Sequence, residues 1–289
     1  MKLETITLHH HDPVEQIRSR YSHHSSSHSF VSLFLWQREM ELQLYLTSDM
    51  FAVKCGRRGE NCWFFPCGKE EAVVGFLRQQ MAAGTEPLML CYMRREDVEL
   101  LEREFPRCFT VKAAPEDDEY LYDREAQILL QGKDFRHHRN SLNRLQQKYE
   151  PETYEITVGN LDAAAVVLEH VRESRTETDG YCSVSAEQMI LEYWDKLGMN
   201  GVIVYINGNP AAITAGYRIS EQIYDICLCH QVLKDPNIAV YARHQLFMRL
   251  PQTVRLINAE EDLGLEGLRC LKQGMRPIGL IEMFEGVSR

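Results

Sequence analysis

The chain has 289 residues, of which 42 are acidic and 32 are Lys or Arg, so its formal net charge is −10. A composition that is 44% hydrophobic and 26% charged is typical of a folded globular protein and excludes a disordered or fibrous chain. The length fits two domains of medium size. Because no apolar run approaches the ~20 residues of a membrane helix and no signal peptide opens the sequence, we expect a cytosolic protein without a transmembrane segment.

The N-terminal half predicts an alternation of strands and helices. Residues 69–83 carry apolar side chains at spacings of three and four, which is typical of an amphipathic helix, and Asp12-Pro13 is a favourable helix start. In chain order the patterns predict strand 4–8, helices 12–21 and 30–36, strands 41–46, 50–55 and 62–65, helix 69–83, strand 87–92, helix 96–105 and strand 109–111.

The C-terminal half repeats this order of elements. Asn207-Gly208, between two apolar runs, is a strong hairpin signal. The patterns predict strand 154–158, helices that begin near residues 161 and 185, strands 201–206, 211–219 and 222–229, helix 238–250, strand 254–257, helix 263–273 and strand 278–284.

The repeated order of elements is that of GNAT-type acyltransferases. We therefore predict an α/β (α+β) protein of two tandem acyltransferase-like (GNAT-type) domains, each a mixed, mostly antiparallel sheet flanked by helices. The predicted N-terminal domain covers residues 1–114 and the C-terminal domain covers residues 152–289. Between them, residues 115–151 are predicted to be a connecting segment, in which Tyr120 and Tyr122 have the alternation of sheet aromatics.

The cysteines and histidines give no sign of a metal or redox site. The nine cysteines include no Cys-x-x-Cys pair and are scattered through apolar segments, which indicates reduced thiols. Most histidines lie at positions 9–11, 23, 24 and 28, in a polar, Ser-rich stretch without Cys ligands or helical spacing. We therefore expect no bound metal.

The connecting segment contains a basic amphipathic helix. Its apolar side chains recur at intervals of seven, three and four, and its other faces carry Arg and Asn. One interpretation is a solvated basic helix that packs on an acidic body. The other is a clamp for phosphates or carboxylates, because Arg offers a planar fork of donors. The apolar positions are Phe135, Leu142, Leu145 and Tyr149, and the candidate ligand-binding residues are Lys133, Arg139, Asn140 and Asn143.

A second polar stretch, residues 258–277, follows a predicted strand. Asn258 ends the strand, and a cluster of carboxylates opens the next helix, where the helix dipole by itself stabilises an acid such as Asp262. Arg269 and Lys272 lie three residues apart on that helix, so they either pair with acids or face a ligand.

Together the two stretches resemble a known superfamily. The first pattern is Gly132-Lys133-x-Phe135-x-x-x-Arg139-Asn140-x-x-Asn143, and the second is Asn258-x-Glu260-x-Asp262-Leu263-Gly264 with Leu268-Arg269-x-x-Lys272 and Pro277. They resemble the superfamily that holds the C-terminal catalytic domain of phosphatidylglycerol lysyltransferases, and in particular its soluble bacterial members with two acyltransferase-like domains.

The resemblance implies transfer of an aminoacyl group. Lysyltransferases of this kind move an amino acid from charged tRNA to a lipid head group, and the related Fem peptidyltransferases move amino acids to cell-wall precursors. It implies aminoacyl-tRNA as donor and a small molecule, lipid head group or peptide as acceptor, with Glu260 or Asp262 acting on the acceptor. The residues implied in substrate binding are Lys133, Arg139, Asn140, Asn143, Asn258, Arg269 and Lys272.

Two features of the sequence separate it from the full-length lipid enzymes. It lacks their multispan membrane domain, which argues against a membrane lipid as acceptor. Its net negative charge argues against extensive contact with tRNA, because phosphate contacts require Lys and Arg.

Two other functions remain open from the sequence. An acetyl-CoA-dependent N-acetyltransferase binds pyrophosphate with a Gly-rich loop at a helix N-terminus. The corresponding stretch 230–239 has no glycine and contains Pro236, which has no N–H to donate, and the stretch 66–69 contains only Gly68. Acetyl-CoA is therefore the less favoured donor. The third interpretation is a non-catalytic protein that binds a small ligand.

Overall fold

The computed structural model describes residues 2–83, 86–174 and 184–289, which form two compact units. The first unit comprises Met1–Tyr120, Glu261–Gln273 and Gly279–Arg289, and the second comprises Leu121–Glu260 and Gly274–Ile278. These bounds differ from the boundaries expected from the sequence. Most of the segment 115–151 is part of the second unit, and parts of the C-terminal 29 residues belong to the first.

The described chain contains these helices: α1 (His11–Arg20), α2 (Phe30–Trp36), α3 (Glu70–Ala83), α4 (Arg95–Glu104), α5 (Arg124–Leu129), α6 (Arg136–Tyr149), α7 (Leu161–Ser174), α8 (Val184–Glu192), α9 (Pro236–Arg249) and α10 (Glu266–Gly274). Its strands are β1 (Leu42–Leu46), β2 (Met50–Cys55), β3 (Cys62–Phe64), β4 (Cys67–Gly68), β5 (Met89–Met93), β6 (Phe109–Ala113), β7 (Glu119–Asp123), β8 (Glu152–Glu155), β9 (Asn200–Ile206), β10 (Asn209–Arg218), β11 (Ile223–Gln231), β12 (Leu256–Asn258), β13 (Gly279–Ile281) and β14 (Phe284–Ser288). None of the described helices has the length and apolarity needed to cross a bilayer.

The sheet of the first unit has the order β1-β2-β3-β5-β14-β6, and β4 also pairs with β2. Among the strand pairings of the described residues in this sheet, β3–β5 is parallel and the others are antiparallel. The apolar face of α3 packs on this sheet, where the Trp63 and Phe76 rings meet edge to face with centroids 5.0 Å apart. This buried layer agrees with the helical spacing predicted for residues 69–83.

In the second unit the strands follow the order β7-β12-β11-β10-β9-β8. The β11–β12 pairing is parallel, and the others are antiparallel. The predicted hairpin is confirmed between β9 and β10, where Asn207 and Gly208 have φ values of +52° and +75°. Both residues therefore have the left-handed backbone that a tight hairpin turn requires.

The predicted fold class is confirmed: the protein is α/β, with two mixed, mostly antiparallel sheets flanked by helices. Tyr120 and Tyr122 lie in β7, as their alternation predicted. Two predicted strands are wrong in detail. The strand expected at 278–284 is two strands, of which β14 pairs with β5 and β6, and the strand expected at 4–8 is a single bridge from Glu4 to Leu44. A pattern within one strand carries no information about its distant partner.

The Ser- and His-rich stretch is packed inside the first unit. His23 and His28 are buried, and the centroids of their rings lie 4.1 Å apart. His28 Nε2 lies 2.8 Å from the carbonyl oxygen of Phe65 and donates a hydrogen bond to it. Burial lowers the pKa of His28 to about 3, so the ring is neutral at pH 7. In residues 2–83, 86–174 and 184–289, no group of three or more His, Cys, Asp or Glu side chains has an arrangement that suits a metal ion.

Acid is expected to destabilise the protein through His28. An unfolded histidine titrates near pH 6.5 and the folded one near 3, so the unfolded chain binds the extra proton between these values. The free energy of unfolding should therefore fall as the pH drops below 6.5, by about 1.4 kcal/mol per pH unit for each such group. Urea denaturation at pH 7, 6 and 5 measures this slope.

Two variants, His28→Gln and the control His137→Gln, test whether His28 causes the dependence of the free energy of unfolding on pH. His28→Gln keeps a side-chain N–H for the Phe65 carbonyl and should reduce the slope by up to one proton. His137 is exposed on α6, so its replacement controls for the loss of a histidine. An unchanged slope in His28→Gln would show that this ring does not cause the acid sensitivity.

Candidate functional site

The basic amphipathic helix is confirmed as α6, in the second unit. Its apolar residues Leu142, Leu145 and Tyr149 pack against a buried cluster that includes Ile238 and Tyr241 of α9. The opposite faces of the helix are exposed. The 3.6-residue periodicity of the sequence thus predicted the helix and three of the four apolar positions on its packed side, whereas Phe135 is the N-cap that precedes the helix.

The four candidate residues on or near α6 differ in their surroundings. Lys133, Asn140 and Asn143 are exposed, and their side chains form no hydrogen bond or ion pair with the part of the chain that the structure describes. The guanidinium of Arg139 instead donates to the carbonyl oxygens of Leu130 and Gly132. Arg139 therefore fastens the turn before α6 to the helix, whereas the other three are available to a ligand.

Replacing Arg139 and Asn143 by Ala should separate these two roles. Arg139→Ala removes the donor to two carbonyl groups and should lower the free energy of unfolding by about 1–3 kcal/mol. Asn143→Ala should leave stability unchanged and weaken binding of an anionic ligand. Thermal melts and ligand titrations of both variants provide the test. Equal stability of the two variants would contradict the structural role of Arg139.

The motif after β12 is a pair of tight turns. Asn258 is fully buried at the end of β12 in the second unit, and its Oδ1 accepts the N–H of Glu260 at 2.8 Å. Glu260 is half-buried and has a left-handed φ of +56°. Further along the chain, Asp262 Oδ1 accepts the N–H of Gly264 at 2.9 Å. Asn and Asp favour such turns because their side chains bond to the backbone two residues ahead.

Asp262 lies in the first unit and is surrounded by donors. The Tyr120 hydroxyl donates to its Oδ2 at 2.7 Å, and Arg269 donates to Oδ2 and Oδ1 at 2.8 and 3.0 Å. Burial raises the pKa of Asp262, but the hydrogen bonds from Arg269, Tyr120 and Gly264 outweigh burial and lower it. Because α10 begins only at Glu266, these bonds rather than the helix dipole stabilise the carboxylate. A carboxylate held in this way suits positioning better than proton transfer.

Lys272 is buried in the same unit. Its ammonium donates to the backbone carbonyl of Glu261 and lies 5.7 Å from the centroid of the Tyr120 ring. The first unit thus brings together three of the predicted site residues, Asp262, Arg269 and Lys272. Asn258, Glu260 and the α6 residues lie in the second unit.

Glu261, which the sequence motif did not single out, has a strongly altered carboxyl group. Burial raises its pKa to about 7, and the negative charges of Glu119 and Asp117 act in the same direction, whereas Lys272 opposes them. A carboxyl group with this pKa exchanges protons readily at neutral pH. The sequence shows three consecutive acids at 260–262, but no local signal indicates which of them lies close to other acids.

The helix N-termini at the two expected coenzyme A positions already carry acids. At the start of α9, Asp235 accepts the N–H of Asn237 at 3.1 Å and pairs with Lys148 at 3.2 Å. The first turn of α3 contains Glu70 and Glu71. A carboxylate at a helix N-terminus takes the place that a pyrophosphate would occupy and repels it.

The match to a family model assigns the chain to an acyltransferase-like family. Residues 18–282 match the profile of the family described as phosphatidylglycerol lysyltransferase, C-terminal. The chain belongs to this family, as its two motifs predicted. A comparison with curated proteins gave no match.

Two solved structures are similar along almost the whole chain. A conserved protein of unknown function from Bacteroides thetaiotaomicron shares 22% identity, with a TM-score of 0.88 and all of both chains covered. L-PGS from Bacillus licheniformis shares 14% identity over 96% of this chain and 91% of its own, with a TM-score of 0.68. At these identities the similarity establishes a common fold.

Proposed function

We propose that this protein transfers an aminoacyl group from charged tRNA to a nucleophilic acceptor, which is a small molecule, a lipid head group or a peptide. Membership of the lysyltransferase family supports transfer chemistry. The structural observation that carries the proposal is Glu261, a carboxyl group whose pKa burial raises to about 7. Such a group accepts a proton from an attacking amine or hydroxyl at neutral pH.

The chemistry requires little beyond alignment and one proton transfer. An aminoacyl ester is already activated, so the acceptor must be held close to the carbonyl carbon and lose a proton as it attacks. Glu261 is our preferred base, and half-buried Glu260 is the second candidate. Asp262 acts as a positioning residue, because its hydrogen bonds to Tyr120 and Arg269 fix the start of α10.

Recognition of tRNA on an acidic protein requires a local basic surface. In our proposal the exposed face of α6 supplies it, with Lys133 beside the helix and Asn140 and Asn143 as uncharged donors. Because each Lys or Arg neutralises about one phosphate, this contact is small and should weaken steeply with salt. Asn258 and Lys272 have structural contacts in the described chain, so we assign them to positioning rather than to direct contact with the donor.

The donor is tested with tRNA charged with a radiolabelled amino acid, uncharged tRNA and acetyl-CoA. A donor at about 100 times its Kd should stabilise the protein by about 2.7 kcal/mol. At about 2–8 °C per kcal/mol, this raises the melting temperature by about 5–20 °C. We expect this shift with charged tRNA. We also expect faster loss of label from tRNA when acceptor amines, lipids or peptides are added.

Other outcomes would replace the proposal. A shift with acetyl-CoA and formation of free coenzyme A would make the protein an acetyltransferase with an unusual cofactor loop. Equal shifts with charged and uncharged tRNA, without loss of label, would indicate RNA binding without transfer. No shift with any donor would favour a non-catalytic protein that binds a small ligand.

A further inference from the structure

A buried arginine in the second unit lacks a charged partner. Arg243 lies on α9 with 8% of its surface exposed. Its Nη1 lies 3.7 Å from Cys229 Sγ on β11, a weak acceptor, and no ion pair joins Arg243 to any acid within the described ranges. The exposed arginine at the end of the same helix, Arg249, bonds to Gln245 instead.

A buried histidine lies on α6, the helix that packs against α9. His138 is 7% exposed, and its Nδ1 is buried without a hydrogen-bond partner in the described part of the chain. Burial, and next the positive charge of Arg243, lower the pKa of His138 to about 4, so the ring is neutral at pH 7. His137 and Arg276 contribute in the same direction, and no acid contributes to the shift.

This arrangement is unfavourable without a further group. Burying a charge without a partner is unfavourable, and buried polar nitrogens in native proteins almost always have a hydrogen-bond partner. An anion would compensate both groups at once. The guanidinium fork matches the two oxygens of a carboxylate or phosphate, and a neutral imidazole can present an N–H to one of them.

We propose that Arg243 and His138 bind an oxyanion, a carboxylate or a phosphate group, between α6 and α9 of the second unit. Arg243 supplies the charge, and His138 supplies one neutral donor. The proposal concerns binding in the second unit and does not depend on aminoacyl transfer.

Titration of the full chain with inorganic phosphate and, separately, with acetate tests the proposal. Both series are kept at constant ionic strength with sodium chloride, and binding is followed by calorimetry and melting temperature. We expect saturable binding of one equivalent of at least one anion, and the stronger of the two identifies the ligand chemistry. Wild-type protein that responds to neither anion beyond chloride would overturn the proposal.

The matched variants are Arg243→Met and Arg249→Met, which remove one arginine each from the same helix. Arg243→Met should lose at least 10-fold in anion affinity, whereas Arg249→Met should bind as wild type. An equal loss of anion affinity in both variants would show that the net charge of the protein, and not a site at Arg243, determines binding, and would contradict the proposal. If Arg243→Met fails to fold, His138→Phe provides the same readout, with an expected loss of about 3- to 10-fold, and unchanged affinity there would contradict the two-residue site.

Discussion

Replacing Glu261 by Gln should lower the rate of aminoacyl transfer by about 10²–10⁴-fold, because the amide cannot accept a proton from the acceptor. Donor binding should be unchanged. Burial raises the pKa of Glu261 to about 7, and a base acts only when ionised. The wild-type rate should therefore rise with pH up to about 7 and then level off. Single-turnover rates between pH 5.5 and 8.5 measure both effects.

The neighbouring acids provide the controls for this prediction. Glu260→Gln has the same chemical change one residue away and should retain most of the activity. Asp262→Asn should act through structure, with a lower melting temperature, because it weakens the pairing with Arg269 and Tyr120. Full activity of Glu261→Gln, with a large loss in Glu260→Gln, would transfer the role of base to Glu260.

The largest effect on stability is expected from Arg58→Met. Arg58 pairs with Asp117 at 3.0 Å and with Glu285 at 3.0 Å, and its guanidinium stacks 4.9 Å from the centroid of the Tyr92 ring. Asp117 and Glu285 are 3% and 8% exposed, so the substitution leaves two buried carboxylates without this cation. Removing one partner of a buried pair costs about 3–5 kcal/mol. Urea denaturation followed by circular dichroism measures the loss.

The chain offers a matched control for Arg58. Lys112 also pairs with Glu285, at 3.0 Å, but its side chain is 69% exposed. Lys112→Met should therefore leave stability almost unchanged. The double variant Arg58→Met, Asp117→Asn should recover part of the loss, because one buried charge is then gone. A stable Arg58→Met would show that water solvates these carboxylates.

Local patterns predicted the elements of this protein well. Helix α6 and its buried stripe follow from the spacing of Leu142, Leu145 and Tyr149. The β9–β10 hairpin follows from Asn207-Gly208, since few other dipeptides accept two left-handed residues. The residue spacings that signal these features lie within about a dozen residues, so each segment of sequence is enough to predict them.

The pairing of distant strands could not be obtained in this way. The segment expected to connect two domains contributes β7 to the sheet of the second unit, where Ile257 pairs with Tyr122. The end of the chain contributes β14 to the sheet of the first unit, where Val287 pairs with Met89. A strand with an alternating apolar pattern can pair with the edge strand of many sheets. Only the packing of the whole chain determines which strand becomes its partner.

The features of the candidate site also fall into those that the sequence predicts and those that only the tertiary structure shows. The sequence by itself determined the family, the basic amphipathic helix and the residue types of the turn at 258–264, because these depend on local spacing and turn chemistry. Only the tertiary structure decided which charges lie buried and beside which neighbours. It surrounds Asp262 with donors, places Glu261 near Glu119 and Asp117, and buries Arg243 without an acid. The pKa of each group depends on its burial and on charges that are distant in sequence. The local residue pattern contains no information about either of them.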